Sequence, residues 1–170
     1  GSPLINIAAV MSTAKDSTAI VYDAGLVNRT MNWDRVSWSD VAGQLQNTTA
    51  FGDTSKNEMV KYRTIIGHTN AGSLAIFPAP HQYFYPLDEA FNLRFVWHGN
   101  SYRKKVDGYG LGIRQELHGD NRFVPWFNAP PGTEQRMNFF CLIARSDEAA
   151  TLQQVKKYTN NDRYVPLPGY

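Results

Sequence analysis

One cysteine in 170 residues excludes an internal disulfide, so the chain must be held by its core, and cysteine usage leaves the redox compartment open. Cys141 sits in "NFFCLIA" and reads as a small buried hydrophobe. A catalytic thiol needs a nearby base and partial exposure, and these apolar surroundings argue against one. Charge is also scarce. Only 19% of residues are charged and the net charge is +2, whereas phosphate binding needs a concentrated basic face. The densest basic run, Arg103-Lys104-Lys105, reads as a solvated loop, and nucleic acid is not an expected partner. No uninterrupted apolar run approaches the length of a membrane-spanning helix. Gly1-Ser2-Pro3 opens the chain with no signal-peptide pattern. A Gly-Ser start is also what tag removal leaves, so the chain is expected to be a piece of a longer multidomain protein, with residues 1–170 forming one domain.

Catalytic and metal motifs are equally sparse. The four histidines, His68, His81, His98 and His118, form neither an H-E-x-x-H nor an H-x-H pattern. The best local metal candidate is Glu116-Leu117-His118-Gly119-Asp120. On an extended strand Glu116, His118 and Asp120 share one face; the competing reading is a polar strand end running into a turn. No metal or cofactor is therefore expected. His81 and His98 lie beside aromatic residues and read as hydrogen-bonded structural histidines. There is no G-x-S-x-G elbow. Gly108, Gly110 and Gly112 lack phosphate-loop spacing; alternating glycines on a strand more often admit a neighbour's aromatic ring or mark a bulge. Glu116 and Glu134 are candidate acid/base residues, although Glu134 can equally pair with Arg136 or Arg114.

What the sequence does contain is strand pattern. "LINIAAVM" and "STAIVYDAGLV" read as strands separated by a turn at Asp16-Ser17. The polar stretch from Asn28 to Glu58 reads as turns and short strands. "MVKYRTIIGHTNAGSLAIFPAP" reads as strand, turn, strand. "FNLRFVWHG" and "DGYGLGIRQELHGDNRFVPWF" supply three more strands, the last two broken at 118–121. "MNFFCLIA" has no alternation and suits a strand buried on both faces. One helix is expected, at about 147–159: Ser146 or Asp147 caps it, and Leu152, Val155 and Tyr158/Thr159 recur at helical spacing. The fold class is mostly β, with sandwich-like antiparallel sheets and one C-terminal helix.

Aromatic residues concentrate in irregular, polar segments: Trp33 and Trp38 around "DRVS", His81, Tyr83, Phe84 and Tyr85 after two prolines, Trp126 and Phe127 before "NAPPG". A sugar presents an apolar C–H face and a hydroxyl rim, which suits an exposed Trp or Tyr among Asn, Asp, Gln or Arg. The same residues also suit closure of a sandwich end, or an interface. Trp33, Trp38, His81, Tyr83, Tyr85 and Trp126 are the candidate contact residues.

The strings "GSLAIFPAPHQYFYP", "NLRFVWHGNSYRKKVDGYGLGIRQ", "PWFNAPPGTEQRMNFFCLIAR" and "YTNNDRYVPLPGY" resemble the region just upstream of PHP-type (CehA/McbA-like) metallohydrolase domains in large secreted bacterial proteins. The resemblance covers residues 59–170. It implies that metal ligands lie beyond Tyr170, that no catalytic residue carries over, and that the partner is an adjacent domain of the parent chain. The expected function is thus a non-catalytic accessory β domain of a secreted or envelope protein, for domain docking and for glycan binding. A carbohydrate-directed hydrolase using Glu116, Glu134, His118 and Asp120, and a homo-oligomeric structural subunit, are the alternatives.

Overall fold

Every strand pairing among the described residues is antiparallel. The structure is a computed structural model that describes residues 1–20, 23–30, 33–49, 55–80, 94–102, 106–114 and 127–165. Among these residues, twelve strands precede one helix: β1 Leu4–Ser12, β2 Ala19–Ile20, β3 Asp23–Asn28, β4 Arg35–Ser39, β5 Leu45–Thr48, β6 Lys56–Glu58, β7 Ile65–Thr69, β8 Gly72–Pro78, β9 Val96–Tyr102, β10 Val106–Arg114, β11 Phe127–Asn128, β12 Glu134–Ala144 and α1 Glu148–Tyr158. A six-stranded sheet runs β1-β12-β8-β7-β4-β5, a four-stranded sheet runs β3-β10-β9-β6, and β11 pairs with β2. The mostly-β class and the late helix are as the sequence indicates. "STAIVYDAGLV" serves two sheets: Ala19–Ile20 pairs with β11, and Asp23–Asn28 pairs with β10. Local alternation cannot show that one run serves two sheets.

The main core lies between the sheets. Val36, Ile65, Ile76, Met137, Phe139 and Cys141 from the larger sheet meet Val96, Tyr109, Leu111 and Ile113 from the smaller. A second cluster lies on the opposite face of the larger sheet, where Leu152 and Val155 of α1 pack on Ile66, Ala75, Phe77 and Leu142. The result is three layers: helix, six strands, four strands. Burial on both faces explains why β12 lacks alternation, since Cys141 faces one core and Leu142 the other. Burying a side chain such as Leu152 is worth about 1.5–3 kcal/mol.

Local chemistry sets the element ends. Asp147 caps α1, its carboxylate accepting from the Ala150 N–H at 2.8 Å, and Thr159 follows the last turn with Asn160 and Asn161 at positive φ. Asp16-Ser17 is a turn, with Ser17 at φ 53° and its N–H donating to Asp16 Oδ1. The glycines of β10 are there for space. A Cβ on Gly110 would lie 2.5 Å from Cη2 of Trp97, so the bare glycine admits that ring. Gly108 takes φ +117° at the register shift between Val106 and Tyr109.

Candidate functional site

β4 and β5 form a hairpin at one margin of the larger sheet, and β6 is the margin of the smaller. The turn between β4 and β5 is held by Asp40, whose carboxylate accepts from Gln46 Nε2 at 2.7 Å, Gln44 N at 2.8 Å and Ala42 N at 3.0 Å. Those bonds, the one from Gln46 foremost, lower the Asp40 pKa against opposing desolvation. Asp40 is consumed in shaping the turn and is a poor acid or base.

Along β4, Val36 and Trp38 point to the inter-sheet side, while Ser37 points to the helix side and bonds Glu148. The alternation carries Trp38 to the end of the inter-sheet space. There its indole stacks on the His98 imidazole of β9, with centroids 5.2 Å apart and planes 24° from parallel. His98 is buried, and both its nitrogens are engaged: Nδ1 with the Tyr109 hydroxyl at 2.7 Å and Nε2 with Glu58 Oε1 at 3.2 Å. Burial lowers the His98 pKa, Glu58 opposing and Lys56 adding to it. Burial also pushes Tyr109 up to about 12. A neutral imidazole and a protonated phenol fit one tautomer: Tyr109 O–H donates to Nδ1, and Nε2–H donates to Glu58. The chain of bonds thus fixes the Glu58 carboxylate.

Glu58 and Trp38 both line an open cleft of about 670 Å³, together with Asn47, Lys56, Asn57 and Arg94. The Asn57 Oδ1 is buried and has no hydrogen-bond partner. The arrangement can hold a flat, partly apolar ring against an indole and offer a carboxylate, amides and cations to its polar edge. Among the described residues, no group of three or more His, Cys, Asp or Glu is placed to hold a metal. No described helix is long and apolar enough to cross a membrane.

Of the residues singled out from sequence, Trp38 reaches this cleft. Trp33 is half-buried, with its ring over Gly67, where a Cβ would meet Trp33 Cε3 at 2.6 Å. Glu134 is exposed and pairs with Arg136 at 3.2 Å. Cys141 is buried, and burial pushes its thiol pKa up. His81, Tyr83, Tyr85, Trp126, Glu116, His118 and Asp120 lie outside the described residues, as do residues 81–86 of the proline-bounded aromatic run. Sequence reasoning missed Lys56 and Glu58. Their signal was only that alternate residues of a short strand share a face.

A second polar cluster joins α1 to the larger sheet. Glu148, 5% exposed, receives Arg35 through Nε to Oε1 and through Nη2 to Oε2 at 3.0 Å. Burial raises the Glu148 pKa, but the Arg35 hydrogen bond, with help from His68 and Arg35 charge, brings it below the usual value. Ser73, His68 and Glu148 have the composition of a nucleophilic triad but not its geometry. Ser73 Oγ and Glu148 Oε2 both approach Nδ1 of His68, at 2.9 and 3.7 Å, whereas a triad needs them on opposite nitrogens. The Ser73 hydroxyl also donates to the Ser146 carbonyl at 2.8 Å. This cluster fastens the helix.

No family model, curated protein or solved structure matches the chain. The class is therefore stated from the fold: a mostly-β protein of two antiparallel sheets with one helix laid on the larger.

Proposed function

We propose that this chain is a non-catalytic β module that binds carbohydrate in the cleft at Trp38. The observation that carries the reading is the Trp38 indole, braced by His98, at the border of an open cleft edged by Asn47, Lys56, Asn57 and Glu58. A braced indole is a preorganised platform for a sugar's C–H face. The fixed Glu58 carboxylate, with Lys56 and Asn47 on the same lining, suits hydroxyl groups at its rim. Among the described residues, the carboxylates at the cleft support a non-catalytic role: Asp40 serves its turn, and Glu58 is tied to His98.

The resemblance of residues 59–170 to segments upstream of PHP-type hydrolases supports placing this module beside another domain in a secreted or envelope bacterial protein. There it would hold the parent chain on a glycan. Intrinsic tryptophan fluorescence, titrated with soluble polysaccharides and oligosaccharides, tests the reading. A saturable change is expected in the wild type and its loss in a folded Trp38→Ala variant. Silence across neutral, acidic and amino sugars overturns it.

A further inference from the structure

Among the described residues, the outer margin of the six-stranded sheet, away from the cleft, is β1. It is nine residues long and pairs with β12 in unbroken register from Leu4↔Leu142 to Ser12↔Glu134. The Ile143 N–H donates to the Pro3 carbonyl at 3.0 Å, which sets the phase of the ladder. Odd-numbered residues of β1 turn their backbone groups to β12, and Asn6, Ala8 and Val10 turn theirs to the open side. Leu4 is also open-facing, and its N–H meets Ser2 Oγ at 3.2 Å.

Open strand edges are normally defended by charge, proline, bulges or shortness. Among the described residues, the other three margins of the two larger sheets follow that rule: β6 has three residues and carries Lys56 and Glu58, β5 has four, and β3 contains Asp23 and Gly25. β1 has none of these defences; no charged side chain occurs before Lys15. It also overhangs the smaller sheet. Ile5 and Ile7 pair with Cys141 and Phe139 on the inter-sheet face, yet they are 46% and 37% exposed, and Val10 on the other face is 49% exposed.

We propose that β1 is a self-association edge, at which a second copy of this chain pairs antiparallel to form one continuous sheet across a two-fold axis. The ladder phase requires even-numbered residues to face even-numbered ones, so the axis passes at Ile7 or at Ala8. On the inter-sheet face either register sets apolar side chains opposite apolar ones: Ile7 against Ile7 and Ile5 against Ala9, or Ile7 against Ala9 and Ile5 against Met11; on the other face Asn6 meets Ala8 or Val10. Charge selects the occupant. Self-pairing places no like charges opposite each other, whereas a charged partner strand would find no counter-charge on β1. One strand per copy buries less than the roughly 1,600 Å² of a standard interface, so the dimer is weak and concentration-dependent.

Sedimentation velocity across a concentration series, on wild type, Ala8→Pro and Ala8→Lys, tests the proposal. Ala8→Pro removes an N–H that the β1–β12 ladder does not use, a position where an edge strand tolerates proline. Ala8→Lys, at an exposed site, puts like charges at the two-fold axis or one residue from it. The wild-type mass is expected to climb toward twice the monomer, with both variants remaining monomeric and keeping the wild-type near-ultraviolet spectrum. If Ala8→Pro does not fold, Ala8→Lys decides. A wild type that stays monomeric at every concentration, or an Ala8→Lys protein that still dimerises, overturns the proposal.

Discussion

Trp38 and His98 lie stacked across the gap between the two sheets, ring centroids 5.2 Å apart. Trp38 comes from the larger sheet and His98 from the smaller, so the pair helps close the sandwich and also backs the cleft. The hydrogen bonds behind His98 make this a rigid unit whose parts can be removed one at a time.

Tyr109→Phe deletes the hydroxyl that meets His98 Nδ1 at 2.7 Å and leaves a buried ring nitrogen without it. Leaving a buried polar group unsatisfied costs about 1–3 kcal/mol. The urea midpoint of Tyr109→Phe should fall accordingly, with little change in slope. An unchanged midpoint would mean that the bond contributes nothing to the fold.

The pH dependence follows from the sign of the His98 shift. Burial, the largest influence, holds the folded pKa below the ordinary 6.5, so the unfolded chain takes up its proton at a higher pH. Stability is complete above about 6.5 and is lost as pH falls toward the depressed folded value. Glu148 acts in a separate window: its folded pKa is also lowered, from 4.5, so its loss belongs below that value. Urea midpoints measured from pH 8 to 5 should decline in wild type and stay flatter in His98→Gln. Equal slopes in the two proteins would contradict this assignment.

Gly110→Ala places a methyl group 2.5 Å from Cη2 of Trp97 and 3.1 Å from Cγ2 of Val27. Trp97 is 1% exposed and has little room to yield, so overpacking should cost about 1–3 kcal/mol. Trp97→Phe combined with Gly110→Ala should recover part of that loss relative to the two changes summed. Strict additivity would show that the ring and the glycine are not coupled.

Much of this architecture is visible in local sequence. Asp147, Leu152 and Val155 specify a capped amphipathic helix within a dozen residues, and the glycine spacing of β10 anticipates the ring it admits. That "STAIVYDAGLV" serves two sheets is not visible, because only distant partners β11 and β10 distinguish its halves. The site is legible to the same extent. Trp38 stands out as an aromatic in a polar segment, and His98 as a hydrogen-bonded histidine. Their contact joins residues far apart in sequence, and nothing near Lys56 and Glu58 announces that β6 pairs beside β9.

Helix anchorage gives a further test. Asp147→Ala removes the side-chain acceptor of the Ala150 N–H and should cost about 1 kcal/mol. Leu152→Ala, which empties part of the cluster under α1, should cost about 2–5 kcal/mol. Thermal unfolding followed by circular dichroism ranks the two. A larger effect from the exposed cap than from the buried leucine would contradict the layered packing.

The most direct test of the central claim is an indole N–H spectrum of the nitrogen-15-labelled protein, recorded during titration with the panel of soluble glycans. The chain has four tryptophans, and Trp38→Phe assigns the relevant signal. Binding in the cleft predicts a saturable shift of the Trp38 indole resonance, with the Trp33 resonance, over Gly67, moving far less. No movement, or movement confined to a tryptophan other than Trp38, would contradict a carbohydrate site at Trp38.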